Sequence, residues 1–417
     1  AKKSEERLLP IETAEVTELS LLPAGIRCVK DSVTWKIEQP VPTDADRAAV
    51  ESMLNTLKNA KRERVVSADP DEYALFGLQP PVGVMIVTQK NRTDTLWVGD
   101  DSPTGSFVFA RVSGAPEVLL TGTTLRTLVQ KSLFDVRNKS VLGFETYQVR
   151  ALQLEYKGNR FHLAKKGAEW TLTVPNDYDA DKSEVEKIIN RLQSERMREV
   201  VDENPVALRA YGLDAPAVRV DLSLGENLAR KTLLIGQSVG DKYYARDDSR
   251  PPVFLVDSSL VSVLRPTLFD LRNKKLTAFG TDAVSKFELE FSAQKIVCSK
   301  DSSGIWIVEQ PFSRKAKSWK MSSIARAAAD LKVAKFIDEP KPLSHYGLHS
   351  PQLRAKFYDD DRMVLDVLFG KIEGDYVYAK LADQENVYQL DKDIFETWTP
   401  DPNDLGEEPE PSSVTSE

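Results

Sequence analysis

Apolar positions along the chain follow two periods in a fixed order. Short β-rich or alternating runs read as strands: "WKIEQP" at 35–40, and later "VGVMIV", "TLWVG", "FVFARV" and "EVLLT". Between them lies a helical period. Val50, Met53, Leu54 and Leu57 fall at i, i+3, i+4 and i+7, which lays one apolar stripe on a helix. A shorter helical segment follows the last strand, as in "SSLVSVLRPTLF" from Ser258.

The order is written three times. "WKIEQP" returns as "WTLTVP" at 170–175 and "WIVEQP" at 306–311. "FGLQPP", "YGLDAP" and "YGLHSP" place Gly77, Gly212 and Gly347 at intervals of 135 residues. "LWVG", "LLIG" and "VLFG" follow, then "FVFAR", "YYARD" and "YVYAK". The helical stripe recurs at Val185, Ile188, Ile189 and Leu192, and in the third copy is read at Ile324, Ala327, Ala328 and Leu331, four residues late. A period of this length is a whole domain, not a solenoid unit of about 20–50 residues. The expected fold is α+β: three tandem copies of one domain, each a mainly antiparallel sheet with one longer and one shorter helix. The expected boundaries are a linker at 1–13, repeats at 14–143, 144–278 and 279–400, and a disordered acidic tail at 401–417.

"FDVRNKSV" at 134–141 and "FDLRNKKL" at 269–276 end the first and second copies. At the end of the third, "NDLGEEP" at 403–409 keeps the aspartate and a leucine but replaces the arginine position with Gly406. The motif is present where another copy follows and absent where none does, as expected of an inter-domain joint. Phe134 and Phe269 are expected to plug a core, Asp135 and Asp270 to cap or accept backbone donors, and Arg137 and Arg272 to hold carbonyls or a carboxylate in a planar fork.

A second group of residues has the chemistry of a ligand surface. Arg111, Arg246 and Lys380 close the same strand in each copy, beside Tyr243, Tyr244, Tyr376 and Tyr378. Aromatic faces beside a cation suit stacking on sugars or bases; the plainer reading is core-facing strand residues and a cross-strand ion pair. "DYDADKSE" at 177–184 begins like a calcium loop but has Lys182 and Ile188 where glycine and a bidentate acid belong. Asp44, Asp179 and Ser318 are instead read as helix N-caps. His345 and His349 have helical zinc spacing but flank a turn before Pro351. No phosphate-loop, dinucleotide or nucleophile-elbow motif occurs, so no catalytic residue, cofactor or metal is assigned. Asn91 and Asn138 begin glycosylation-type triplets.

Charge narrows the partners. The chain carries −8, and six of the acids lie in residues 401–417 without a Lys or Arg, so the remainder carries −2. That balance offers no basic field for nucleic acid. Cys28 and Cys298, the only cysteines, are read as small core residues rather than a disulfide. No apolar run approaches the roughly 20 residues of a membrane span. The chain opens on Ala1, not Met, which suggests that an upstream segment has been removed or left out.

The run of Trp strand, acidic turn before an amphipathic helix, "YGL..P", "LLIG", "YYAR" and "FDLRNK" resembles the bacterial domain-of-unknown-function 4340 family. The resemblance covers about residues 14 to 400 and is clearest in the second copy. It implies a membrane helix upstream of this sequence, repeats outside the cytoplasm, and genes beside gliding-motility-type ABC transporter subunits; it supplies no catalytic residues. The expectation is a non-enzymatic accessory or scaffold subunit at the periplasmic or extracytoplasmic face of the inner membrane, working with the membrane subunits of an ABC transporter. The competing expectation is an extracytoplasmic ligand-binding protein for glycan, peptide or lipid.

Overall fold

The structure, a computed structural model, describes residues 7–90 and 92–408. Asn91 of the first glycosylation-type triplet, residues 1–6 of the expected linker and 409–417 of the expected tail lie outside them. The chain forms two compact units, Ala1–Lys165 with Glu186–Arg265, and Lys166–Val185 with Pro266–Glu417. This division does not follow the sequence period, because residues 166–185 of the second copy fall in the second unit.

In the first repeat the strands are β1 (Val16–Leu22), β2 (Ile26–Asp31), β3 (Thr34–Gln39), β4 (Thr43–Asp44), β5 (Arg64–Ser67), β6 (Gly83–Gln89), β7 (Arg92–Asp101), β8 (Phe107–Val112) and β9 (Val118–Gly122). They form one sheet in the order β4-β3-β2-β1-β6-β7-β8-β9-β5. Helix α1 (Arg47–Asn59) carries the chain from the β4 edge to the β5 edge; α2 (Thr124–Val129) and the single turn α3 (Leu133–Val136) follow β9. Sheets of the same order recur over residues 149–257 and 286–391. The repeats are therefore three nine-stranded antiparallel sheets with few helices, sheet-dominated to a degree that "α+β" describes only loosely.

Alternation explains the sheet's two faces: β8 alternates half-buried and buried residues along its whole length. The stripe Val50, Met53, Leu54 and Leu57 is buried under α1 as the spacing predicts. Each such side chain contributes about 1.5–3 kcal/mol when fully covered. In the third repeat the buried stripe is Met321, Ile324, Ala325 and Ala328, so the sequence register there was wrong by one helical turn. The helix is displaced by one residue, through a longer turn at Asp301–Gly304, and a later deletion restores the period. β5 and its second-repeat counterpart Glu199–Asp202 each carry a bulge, at Val66 and Val201, that Lys335–Ile337 lacks.

Asp44 and Asp179 are not the helix caps. They end short edge strands, and the caps are two residues on: Asp46 accepts from the Ala49 N–H at 3.1 Å, and Asp181 from the Glu184 N–H at 3.2 Å. Ser318 is the first residue of its helix, preceded by Lys317, which makes no side-chain cap. The two ends of the first and third repeats are also tied down. Leu8, Leu9 and Ile11 of the expected linker are buried in the first core. Leu405, within the expected tail, is buried in the third, and Glu407 pairs with Lys315 at 3.0 Å.

Candidate functional site

Each repeat is closed by an exit segment that returns to the position two residues before its long helix. Arg137 forms a β-bridge with Ala45, Arg272 with Ala180 and Gly406 with Ala316. Flanking hydrogen bonds repeat too: Asp46, Asp181 and Lys317 donate from their backbone N–H to the carbonyls of Val136, Leu271 and Leu405, at 2.7, 2.8 and 2.8 Å. Val136, Leu271 and Leu405 are fully buried and plug the core. Phe134 and Phe269, expected in that role, are only half-buried, and lie under Lys139 and Lys274. An entry segment meets the far end of the same helix. Arg7 bridges Lys61, Ser140 bridges Arg196 and Lys275 bridges Lys332. The octamer is therefore exit and entry at once: its first half closes one sheet and its second half opens the next.

The side chains of the octamer follow from this. Asp135 accepts from the Ser132 N–H and hydroxyl, and Asp270 from those of Thr267, closing a capping box around each short turn. The Ser132 backbone donor, then its hydroxyl, hold the Asp135 carboxyl below its usual range. Arg137 donates to both oxygens of Glu203, at 2.5 and 3.3 Å, in the following repeat. Arg272 donates to Asp338 at 2.6 Å, and its guanidinium stands 3.8 Å from the Tyr178 ring and 3.6 Å from the Phe336 ring. A cation between two rings and beside a carboxylate is held on three sides. The carboxylate partners carry no motif of their own, so the sequence did not point to them. By strand register, the position of Glu203 and Asp338 is Ala68 in the first repeat, and that of Arg137 and Arg272 is Gly406 in the third.

The second group is not one repeated surface. Arg111 lies 3.7 Å from the Trp97 ring and 4.7 Å from Tyr73. Arg246 instead donates to the Arg250 carbonyl at 3.2 Å, and Lys380 stands opposite Leu368. Tyr243 faces Arg265, Tyr244 packs edge-on against Tyr211 at 5.2 Å, and Tyr376 lies under Lys335 at 4.0 Å. Tyr378 is buried against Tyr346 at 4.8 Å. Its hydroxyl donates to Glu373, and that bond, with burial, pushes its pKa up to about 12. The three cations thus share a strand position and nothing else.

Among the described residues, no group of three or more His, Cys, Asp or Glu side chains is placed to hold a metal ion. His345 packs edge-on against Tyr346, Asn138 accepts from the Ser140 N–H, and Asp181 pairs with Lys274 at 2.9 Å. Cys28 and Cys298 are free and buried. No described helix is long and apolar enough to cross a membrane.

Fold and joints together define a tandem array of three sheet domains chained by arginine joints. The family described as "Domain of unknown function (DUF4340)" matches residues 35–176, 170–351 and 306–408, and the chain belongs to it. Comparison with curated proteins gives no match. A crystal structure of a DNA polymerase sliding clamp from Pseudomonas aeruginosa with ligand aligns over 93% of this chain and 93% of its own, at 8% identity and a TM-score of 0.16. A likeness that slight carries no argument.

Proposed function

We propose that the protein is a non-enzymatic scaffold or accessory subunit on the extracytoplasmic face of the membrane, within an ABC transporter assembly of the gliding-motility type. The observation that supports a scaffold is the use made of the most closely repeated residues. The aspartates of the octamer cap turns, its backbone closes one sheet and opens the next, and its arginines pair with carboxylates of the following copy. A motif engaged in this way ties one copy to the next through its backbone and through the terminal nitrogens of Arg137 and Arg272, while the Arg137 Nε stays buried without an acceptor. The transporter, the upstream anchor and the location rest on the family resemblance alone.

The test is crosslinking of the full-length protein in its native membranes, followed by affinity purification and mass spectrometry. Crosslinks from these repeats to ABC transporter membrane subunits are expected. Recovery of the protein with no transporter subunit attached overturns the reading.

A further inference from the structure

The strand cations differ in one respect that bears on binding. Arg111 is the cross-strand register partner of Trp97, whereas Arg246 and Lys380 stand opposite Leu234 and Leu368. Tyr73, on the short helix Pro70–Phe76, covers the guanidinium from a second side, and its hydroxyl is fixed by donation to the Pro116 carbonyl at 2.9 Å. The matching positions in the other copies are Leu208 and Leu343. The Arg111, Trp97 and Tyr73 arrangement therefore belongs to the first repeat alone.

Its chemistry is unfinished. All five N–H donors of a guanidinium lie in its plane, so rings stacked against its faces leave the donors pointing outward along the edge. Arg111 has no carboxylate or carbonyl partner among the described residues, and its Nε is buried with no acceptor. Arg137 shows the same orphaned Nε while its terminal nitrogens hold the Glu203 carboxylate; the terminal nitrogens of Arg111 hold nothing among the described residues, and a carboxylate is their geometric complement. The guanidinium opens on a cleft of about 530 Å³ that also takes in Pro70, Pro80, Pro81 and Asp71. The prolines and rings supply flat apolar walls. Asp71 sets one negative charge on the same cleft, which disfavours a dense polyanion.

We propose that this cleft binds an acidic peptide segment: one carboxylate forks onto the Arg111 edge, and neighbouring apolar groups lie on the aromatic and proline walls. Recognition at this cleft is independent of the transporter reading.

The test uses the 15N-labelled chain and follows the Trp97 indole N–H, assigned with Trp97→Leu. The probes are acetyl-Pro-Glu-Pro-amide, its Gln counterpart and inorganic phosphate. The Glu peptide is expected to move the indole signal saturably at millimolar concentration. The Gln peptide is expected to bind at least tenfold more weakly, and so is the Glu peptide to Arg111→Lys, which keeps the charge and loses the fork. Trp97→Leu copies the residue used at this position in the other repeats, so its fold should persist, and its other amides near the cleft should stop responding to the Glu peptide. Equal binding of Glu and Gln peptides, no response to the Glu peptide, or phosphate binding as tightly as the Glu peptide each overturns the proposal.

Discussion

Arg137 and Glu203 lie 66 residues apart in sequence and are joined by two guanidinium–carboxylate hydrogen bonds. Arg272 and Asp338 repeat the relationship at the same separation of 66 residues. The arginine side chain keeps 3% of its surface at the first joint, while Glu203 keeps 28%. The two halves of the pair therefore have unequal claims on each other. Glu203→Ala strands a covered guanidinium and should cost about 2–4 kcal/mol, somewhat below the usual cost of breaking a fully buried pair. Arg137→Met leaves a carboxylate that water still reaches, and should fall within about 1 kcal/mol of the parent. Hydrogen exchange at the Val141 and Met197 amides, which donate across the same joint, should speed up more in the first variant than in the second.

A second prediction concerns the "YGL" turn. Gly77, Gly212 and Gly347 have φ of +64°, +67° and +70°. Against each stands a strand glycine whose added Cβ would meet a carbonyl oxygen of that turn: 2.2 Å at Gly99, 2.0 Å at Gly236 and 2.0 Å at Gly370. A backbone atom cannot step aside as a side chain can. Gly236→Ala should cost about 3 kcal/mol, the upper end of what overpacking costs. Gly143→Ala, with nothing within 4 Å of the new atom, should stay within about 0.5 kcal/mol. Urea unfolding of the two variants side by side measures the difference.

Stability near the first joint should fall as pH rises above the usual carboxylate range. Glu195 is 1% exposed, and burial raises its carboxyl above the ordinary value of 4.5, with Arg191 and Arg198 pulling it down and Asp257 pushing it further up. The folded chain then holds this proton more tightly than the unfolded chain does. Its contribution is complete below pH 4.5 and is lost as pH climbs through the raised value. Unfolding midpoints measured upward from pH 4.5 should drop relative to Glu195→Gln, which has no proton to lose there.

The two thiols should be silent in the native state. Burial pushes both Cys28 and Cys298 up to about 12, with Glu309 adding to the effect at Cys298. Neither should react with iodoacetamide at pH 8, because the thiolate is the reactive form. Their cross-strand neighbours Ile37 and Val308 occupy the same place in the first and third repeats. Pulsed alkylation in rising urea should therefore report the opening of those two repeats separately.

How far the sequence carried the fold depended on repetition. Three copies of one pattern made the sheets, the long helix and the arginine of the octamer legible, since a residue that returns at the same place has a shared cause. Misreadings arose where a single residue shifted. Alternate apolar sites satisfy a helical period one turn out of register in the third copy; Met321 and Leu331 are both buried in the same core, and what separates them is that the helix ends at Ala329. Asp44 and Asp46 are both acceptable cap types, and the edge strand through Asp44 decides between them. The acidic stretch around Leu405 looked like a tail by composition, although one buried leucine and a β-bridge suffice to seat it. The partners Glu203, Asp338, Trp97 and Tyr73 were not legible, because each lies in a different element from the arginine it meets.

Ala68 in the first repeat and Gly406 in the third stand where the interior joints place an acid and an arginine. The first repeat lacks the acid that receives an arginine, and the third lacks the arginine that seeks an acid. The arginine could not be restored at Gly406 without displacing a neighbour, since a Cβ there would stand 2.7 Å from the Arg314 side chain, whereas the interior joints give the same position to a cation.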